Sequence, residues 1–201
     1  MRRGLIIFIR NPVAGEVKTR LAKTLGDEKT LLVYQWLLTH TREITQPLTC
    51  DKFLYYSGEP GSDDEWASSH YFKRQQLPGA LGEKMLSAFA ELFDAGYDQL
   101  VIIGSDCLEL ETPLLESAFQ ALQEKDVVIG PSNDGGYYLL GMNSLISNLF
   151  VNKEWSTATV YADTMRDISE ARLTVEVLPR LNDIDDEADL PASFINRLNC
   201  H

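Results

Sequence analysis

Three short segments combine charged residues with glycine or proline in ways suited to handling an anion. The first is Arg10-Asn11-Pro12-Val13-Ala14-Gly15-Glu16-Val17-Lys18-Thr19-Arg20-Leu21. Pro12 and Gly15 shape a loop, and Lys18 and Arg20 fall where a helix begins. Free backbone N–H groups at a helix start, joined by Lys and Arg, bind phosphate. Cations there oppose the helix dipole, so without an anion the placement is mildly unfavourable. The competing reading is a solvated basic first turn. No glycine directly precedes Lys18 and no Gly-x-Gly occurs in the chain, which excludes a Walker loop and the dinucleotide fingerprint.

The second segment, Gly104-Ser105-Asp106-Cys107, follows an aliphatic run. A carboxylate at the mouth of a buried strand is costly unless a cation meets it. Mg²⁺ or Mn²⁺, shared between one or two carboxylates and substrate phosphates, would do so. Asp106 could instead cap the next turn, although Thr112 reads as the cap of the following helix. The third segment is Gly130-Pro131-Ser132-Asn133-Asp134-Gly135-Gly136-Tyr137-Tyr138. Asn-Asp-Gly-Gly is hairpin-turn chemistry in its own right. Gly135 and Gly136 would also let a substrate approach the backbone closely, and Asp134 would stand as a second carboxylate facing Asp106.

Weaker candidates surround these. Gln75-Gln76-Leu77-Pro78-Gly79-Ala80-Leu81-Gly82-Glu83-Lys84 brings Gly79 and Gly82 to a helix start, as a nucleoside or acceptor contact or as an ordinary loop. Ser156, in Trp155-Ser156-Thr157, reads as an N-cap or a ligand. Asn182-Asp183-Ile184-Asp185-Asp186-Glu187 sets acids before the last helix, where the dipole favours them and where Asp183 or Asp185 could hold a metal. It lacks the glycine an EF-hand needs at loop position six. His40, His70 and His201 are isolated, no Gly-x-Ser-x-Gly elbow occurs, and Cys107 has no motif-linked histidine, so nucleophilic catalysis is unsupported.

Such residues need a frame to bring them together. Strands are expected at Gly4–Ile9, Lys52–Tyr56, Gln99–Ile103, Asp126–Ile129, Tyr137–Met142 and Leu173–Leu178. The first, third and fourth are nearly continuous aliphatic runs, as in strands buried on both faces of a largely parallel sheet. Helices are expected at Asp27–Ile44, with Leu31, Tyr34, Leu38 and Leu32, Gln35, Thr39 as neighbouring stripes, and at Leu81–Ala95, stopped by Gly96. Two more are expected: Thr112–Glu124, with Thr112 as N-cap and Leu115, Phe119 and Leu122 inward, and Asp186–Leu198. Alternating β and α elements mean a layered α/β sheet, and ligands of such sheets bind outside the carboxyl ends of the strands.

Composition agrees with one globular domain over residues 1–201. The chain is 44% apolar and 24% charged, and the Ser57–Asp64 segment reads as a loop rather than a domain break. The net charge of −12 argues against a nucleic-acid or anionic-membrane binder. Yet residues 1–29 hold seven Lys/Arg against three acids, a local basic site suited to a small anion. Cys50, Cys107 and Cys200 form no CxxC pair, so a reduced, cytoplasmic setting is expected. The apolar run Leu5–Ile9 is too short for a signal peptide and no stretch reaches a membrane span.

Together the segments FIRNPVAGEVKTRLAKTLG, QLPGALGEKM, GSDC, GPSNDGGYYLLG, EWST and DIDDEADL resemble, in order and over nearly the whole chain, a bacterial family of glycosyltransferase-A-like proteins. Its members are also called selenodomain-associated transferases or arsenosugar-biosynthesis glycosyltransferases. The resemblance implies the GT-A fold: a nucleotide-binding three-layer α/β/α sandwich with a mostly parallel sheet, using a divalent metal between an acid and the donor diphosphate. It makes Arg10, Gly15, Lys18 and Arg20 the nucleotide-phosphate segment and Asp106 the metal-binding acid, with Asp134 or Asp185 as second ligand because no full Asp-x-Asp is present. A nucleotide-activated donor, most simply an NDP-sugar, and a small-molecule acceptor are the implied partners, with Asp134 as general base if the reaction inverts. The Lys-Thr-Arg-Leu and Asp-Gly-Gly segments are also similar to phospholactate guanylyltransferases and, more distantly, to molybdenum-cofactor guanylyltransferases, which transfer a nucleotidyl group. Leu108-Glu109-Leu110 replaces the proline common after the Asp-Cys pair, and Val13-Ala14 replaces the usual proline-containing turn.

Overall fold

The computed structural model describes residues 1–61 and 64–198. Ser62 and Asp63 of the expected Ser57–Asp64 loop, and Cys200 and His201, lie outside the described residues. The strands are β1 (Arg3–Ile9), β2 (Asp51–Tyr56), β3 (Phe72–Gln75), β4 (Gln99–Ile103), β5 (Val127–Pro131), β6 (Tyr137–Met142) and β7 (Val175–Val177). The helices are α1 (Thr19–Leu25), α2 (Asp27–Thr45), α3 (Leu81–Asp94), α4 (Thr112–Ala121), α5 (Val160–Glu170) and α6 (Ala192–Leu198). The strands form one seven-stranded sheet in the order β3-β2-β1-β4-β6-β5-β7. Only β6 runs antiparallel to its neighbours, pairing with β4 and with β5.

Alternation along the strands sends side chains to two cores, and this makes the sandwich. Leu5, Ile7 and Ile9 of β1 and Val101 and Ile103 of β4 pack with Tyr34 and Leu38 of α2 and with Leu115, Ala118 and Phe119 of α4. Ile6, Leu100, Ile102, Ile129 and Leu140 pack on the opposite face with Met85, Ala88, Phe89 and Leu92 of α3 and Ile168 of α5. A third cluster joins Leu21 of α1 and Val33 and Leu37 of α2 to Ile184, Leu190 and Leu198. The result is the three-layer α/β/α arrangement. Among the described residues no helix is long and apolar enough to cross a membrane.

Several local expectations are corrected. The buried face of α2 is Thr30, Val33, Tyr34, Leu37, Leu38, Thr41 and Thr45, whereas Gln35 is exposed and Leu31, Leu32 and Thr39 are half-buried. Thr41 and Thr45 are admitted because their hydroxyls donate to the Leu37 and Thr41 carbonyls, at 2.8 and 2.7 Å, whereas the Thr30 hydroxyl is buried without a partner among the described residues. Glu111, not Thr112, is the N-cap of α4, and the Thr112 hydroxyl donates instead to the Ile44 carbonyl at 2.7 Å. Thr159, not Ser156, precedes α5. The expected helix 186–198 is divided by Pro191, which cannot continue the hydrogen-bond ladder: a short 3-10 turn at Glu187–Asp189 precedes α6. The additional strand β3 is an edge strand with exposed Phe72, Arg74 and Gln75, so it carries no apolar period.

Candidate active site

The carboxyl ends of the strands open on a cleft of about 790 Å³. Its floor is set by buried polar contacts between β1, β4 and α2. The Arg10 backbone N–H donates to the Tyr34 hydroxyl at 2.8 Å, which donates back to the Arg10 carbonyl at 3.1 Å. Ser105, the buried residue before Asp106, lies 3.5 Å from the same hydroxyl. Tyr34 therefore ties the two strand mouths that carry Arg10 and Asp106.

The loop after β1 turns through Gly15, whose φ of +80° suits glycine, and delivers Lys18 to the N-cap of α1 in a left-handed conformation, φ 46° and ψ 49°. The Lys18 side chain is only 7% exposed, and its Nζ lies 2.9 Å from Asp106 Oδ2 and 3.2 Å from Asp185 Oδ1. Burial alone would lower its pKa, but the two carboxylates hold it above the usual lysine value, so the ammonium persists. Arg20, largely exposed, reaches Asp185 at 3.8 Å. Arg10 and Lys84 also line the cleft and have no ion-pair partner among the described residues.

The strand after α5 explains how Asp183 and Asp185 arrive here. Beyond β7, Leu181 bridges to Ser132 and accepts from the Asn133 N–H at 3.0 Å. Ile184 N–H then donates to the Asp106 carbonyl at 2.9 Å. The Asp189 carboxylate fixes the far side, accepting from the Asp185 and Asp186 N–H groups at 3.0 and 2.9 Å and from the Asn182 amide at 2.8 Å. Asp183 is held half-buried, and burial, with added repulsion from Asp106, Asp134 and Asp185, pushes its pKa up to about 7 against a partial offset from Lys18. Asp134 sits in the β5–β6 turn. Its Oδ1 accepts from the Ser132 hydroxyl and, at 2.9 Å, from the Gly136 N–H, leaving Oδ2 without a donor among the described residues.

Of the candidate residues singled out in the sequence, the cleft is lined by Arg10, Lys18, Arg20, Asp106, Asp134, Gly136, Ser156, Asp183 and Asp185. Four glycines stand elsewhere, against the protein itself. Gly15 faces Asp27, and Gly79, at φ +135°, faces Glu83. A Cβ on Gly82 would lie 2.4 Å from Trp155 Nε1, and one on Gly135 would lie 2.1 Å from the Ala158 carbonyl oxygen. Gln76, Lys84 and Tyr137 stood inside the candidate segments but were given no role of their own in the sequence, and all three line the cleft. Lys84 had a readable signal, a cation in the first turn of α3, whereas Tyr137 is reached only through its tertiary neighbour Trp155.

The carboxylates are all-oxygen donors suited to a hard divalent cation, and the Asp183 pKa is raised first by burial and then by its carboxylate neighbours, with Lys18 only a partial offset. Among the described residues no group of three or more His, Cys, Asp or Glu is poised to hold a metal unaided. The donor set therefore suits Mg²⁺ or Mn²⁺ completed by substrate oxygens and water, not a closed protein cage.

A sheet ordered β3-β2-β1-β4-β6-β5-β7, with a charged cleft at the carboxyl ends, defines the nucleotide-diphospho-sugar transferase-like fold. Residues 40–157 match the DUF2064 family, described as an uncharacterized protein conserved in bacteria, and the chain belongs to that family. A Desulfovibrio desulfuricans protein provisionally named a nucleotide-diphospho-sugar transferase superposes with a TM-score of 0.87 at 29% identity, over 100% of this chain and 96% of that one. A CMP-2-keto-3-deoxy-manno-octonic acid synthetase complexed with CTP shares the fold at 7% identity, TM-score 0.61, over 100% of both chains. So does a Mycobacterium tuberculosis protein in complex with manganese, at 11% identity and TM-score 0.51, over 98% of this chain and 97% of that one. No functionally curated protein matches the chain in sequence.

Proposed function

We propose that this chain acts as one domain, a metal-dependent transferase that takes a nucleotide-activated donor, an NDP-sugar, and passes its glycosyl group to a small acceptor. The observation that carries this reading is the juxtaposition of free cations, Arg10 and Lys84, with the carboxylate group of Asp106, Asp134, Asp183 and Asp185 in one cleft. The 29%-identical neighbour's name supports the donor class, and the manganese-bound neighbour supports the metal.

Arg10, Arg20 and Lys84 bind the anionic donor. Asp106 with Asp183, and Asp185 or Asp134, would hold Mg²⁺ or Mn²⁺. When bound, the ion offsets the charge that develops on the leaving nucleoside diphosphate. Lys18 fixes Asp106 and Asp185 in register while the site is loaded. Asp134 Oδ2 accepts the acceptor's hydroxyl proton if the reaction inverts. Gly136 lets the substrate pass close to the turn.

Phosphorus NMR of the reaction products tests the assignment. Release of a nucleoside diphosphate is the expected result. The CTP-bound neighbour favours a second reading, nucleotidyl transfer from an NTP to a phosphorylated small molecule, and release of pyrophosphate would establish that one instead.

A further inference from the structure

Lys18 holds the same carboxylates that a divalent ion would need. Its side chain is 7% exposed, and the ammonium stands 2.9 Å from Asp106 Oδ2 and 3.2 Å from Asp185 Oδ1. Mg²⁺ takes carboxylate oxygen at about 2.0–2.1 Å, so an ion on Asp106 comes up against this ammonium. Like charges in contact repel, and with so little of the side chain exposed the ammonium cannot turn to bulk water where it stands. A buried cation that loses its carboxylates is left uncompensated, which is a costly state.

Lys18 can therefore yield Asp106 and Asp185 only to gain another anion. Arg10, Arg20 and Lys84 line the same cleft, and a donor diphosphate bound among them brings phosphate oxygens to the loop that carries Lys18. The Lys18 backbone is left-handed, φ 46° and ψ 49°, a strained state for a non-glycine residue and one that collects at switching segments. Two cations thus serve two anions in turn: the ammonium rests on the carboxylates, then passes to the phosphates as the carboxylates pass to the metal.

We propose that Lys18 makes metal uptake conditional on the donor: it bars a divalent ion from Asp106 and Asp185, and releases them when a nucleoside diphosphate offers its phosphates to the ammonium. Until then Lys18 keeps the two carboxylates in register. The coupling is reciprocal, so the nucleotide tightens the metal as the metal tightens the nucleotide. This rests on the proposed binding of donor and metal in one cleft.

The test titrates Mn²⁺ calorimetrically into the full chain, alone and with ADP, CDP, GDP or UDP, correcting for Mn²⁺ held by free nucleotide. The parent is compared with Lys18→Met, Lys18→Gln and Lys23→Met. Lys23, exposed on α1 and without an ion-pair partner among the described residues, controls for the loss of one positive charge. Without nucleotide, both Lys18 variants should bind Mn²⁺ at least tenfold more tightly than the parent, and Lys23→Met within twofold of it. With a nucleoside diphosphate the parent should gain at least tenfold, and the Lys18 variants less than the parent. A lysine that only kept the carboxylates in register would give the opposite sign. Equal or weaker Mn²⁺ binding by both Lys18 variants therefore overturns the proposal, as does a tenfold gain in Lys23→Met. No Mn²⁺ binding to any of the four proteins, with or without nucleotide, overturns the metal assignment on which the inference rests.

Discussion

Replacing Asp183 by Asn removes a carboxyl whose ionisation the fold opposes while keeping its shape. In the folded chain its pKa rises from an ordinary 3.8 to about 7, chiefly through burial and secondarily through Asp106. Between those values the folded state keeps a proton that the unfolded chain has released, so stability falls as pH rises. The loss begins near pH 4, grows to about pH 7 and is complete above it. At about 1.4 kcal/mol per tenfold change, the full span amounts to about 4 kcal/mol. Asp183 retains some contact with water, so about 2 kcal/mol is the expected penalty. For a chain of this length that corresponds to roughly 4–8 °C in Tm. Thermal unfolding of both proteins in chelator, from pH 4 to 8.5, reads it directly. The Asp183→Asn curve should coincide with the parent near pH 4 and rise above it through pH 7. Parallel curves across the range, or a variant less stable at pH 8, would refute the assignment of Asp183 as the strained carboxyl.

Two further substitutions probe the frame of the site. Gly135→Ala should cost about 3 kcal/mol, because its Cβ would fall 2.1 Å from the Ala158 carbonyl oxygen on a backbone at φ +89°; a Tm within 2 °C of the parent would contradict that close approach. Lys18→Met leaves Asp106 and Asp185 without their shared cation and should cost about 1–2 kcal/mol at neutral pH, since both carboxylates are partly solvated. Because the Lys18 pKa is raised in the fold, its contribution is full at neutral pH and is lost only as pH rises through the folded value above 10.5. A denaturant series from pH 7 to 11 on the two proteins checks both statements.

The sequence made the sheet's centre legible and its margins obscure, for physical reasons. β4 and β5 are buried along their whole length, so burial on both faces forced unbroken aliphatic runs. β3 pairs with β2 by backbone bonds alone, and its Phe-Lys-Arg-Gln sequence is what an exposed edge permits. The α2 stripe was shifted because three buried positions are threonines, whose polarity hides their burial. Asp106 and Asp134 could be placed together because both follow parallel strand ends, whereas Asp185 was legible only as an acid before the last helix and joined them through the family resemblance. The pairing of Lys18 could not: its loop reads as an anion site, and only the fold shows two carboxylates of remote segments closing on the ammonium. The glycines divide in the same way. Gly136 borders the cleft, whereas Gly82 and Gly135 make room for Trp155 and Ala158, neighbours that no local spacing announces.

The central claim, that this cleft binds a nucleotide-activated donor through cations and an acid-held metal, is tested most directly by isothermal titration of a panel of nucleoside diphosphates and NDP-sugars. Each is titrated with and without Mn²⁺ into the parent chain and into Asp106→Ala. The account predicts that at least one nucleotide binds, that Mn²⁺ tightens it at least tenfold, and that this gain vanishes in Asp106→Ala. No binding of any nucleotide to the parent, or a Mn²⁺ gain preserved in Asp106→Ala, would contradict it.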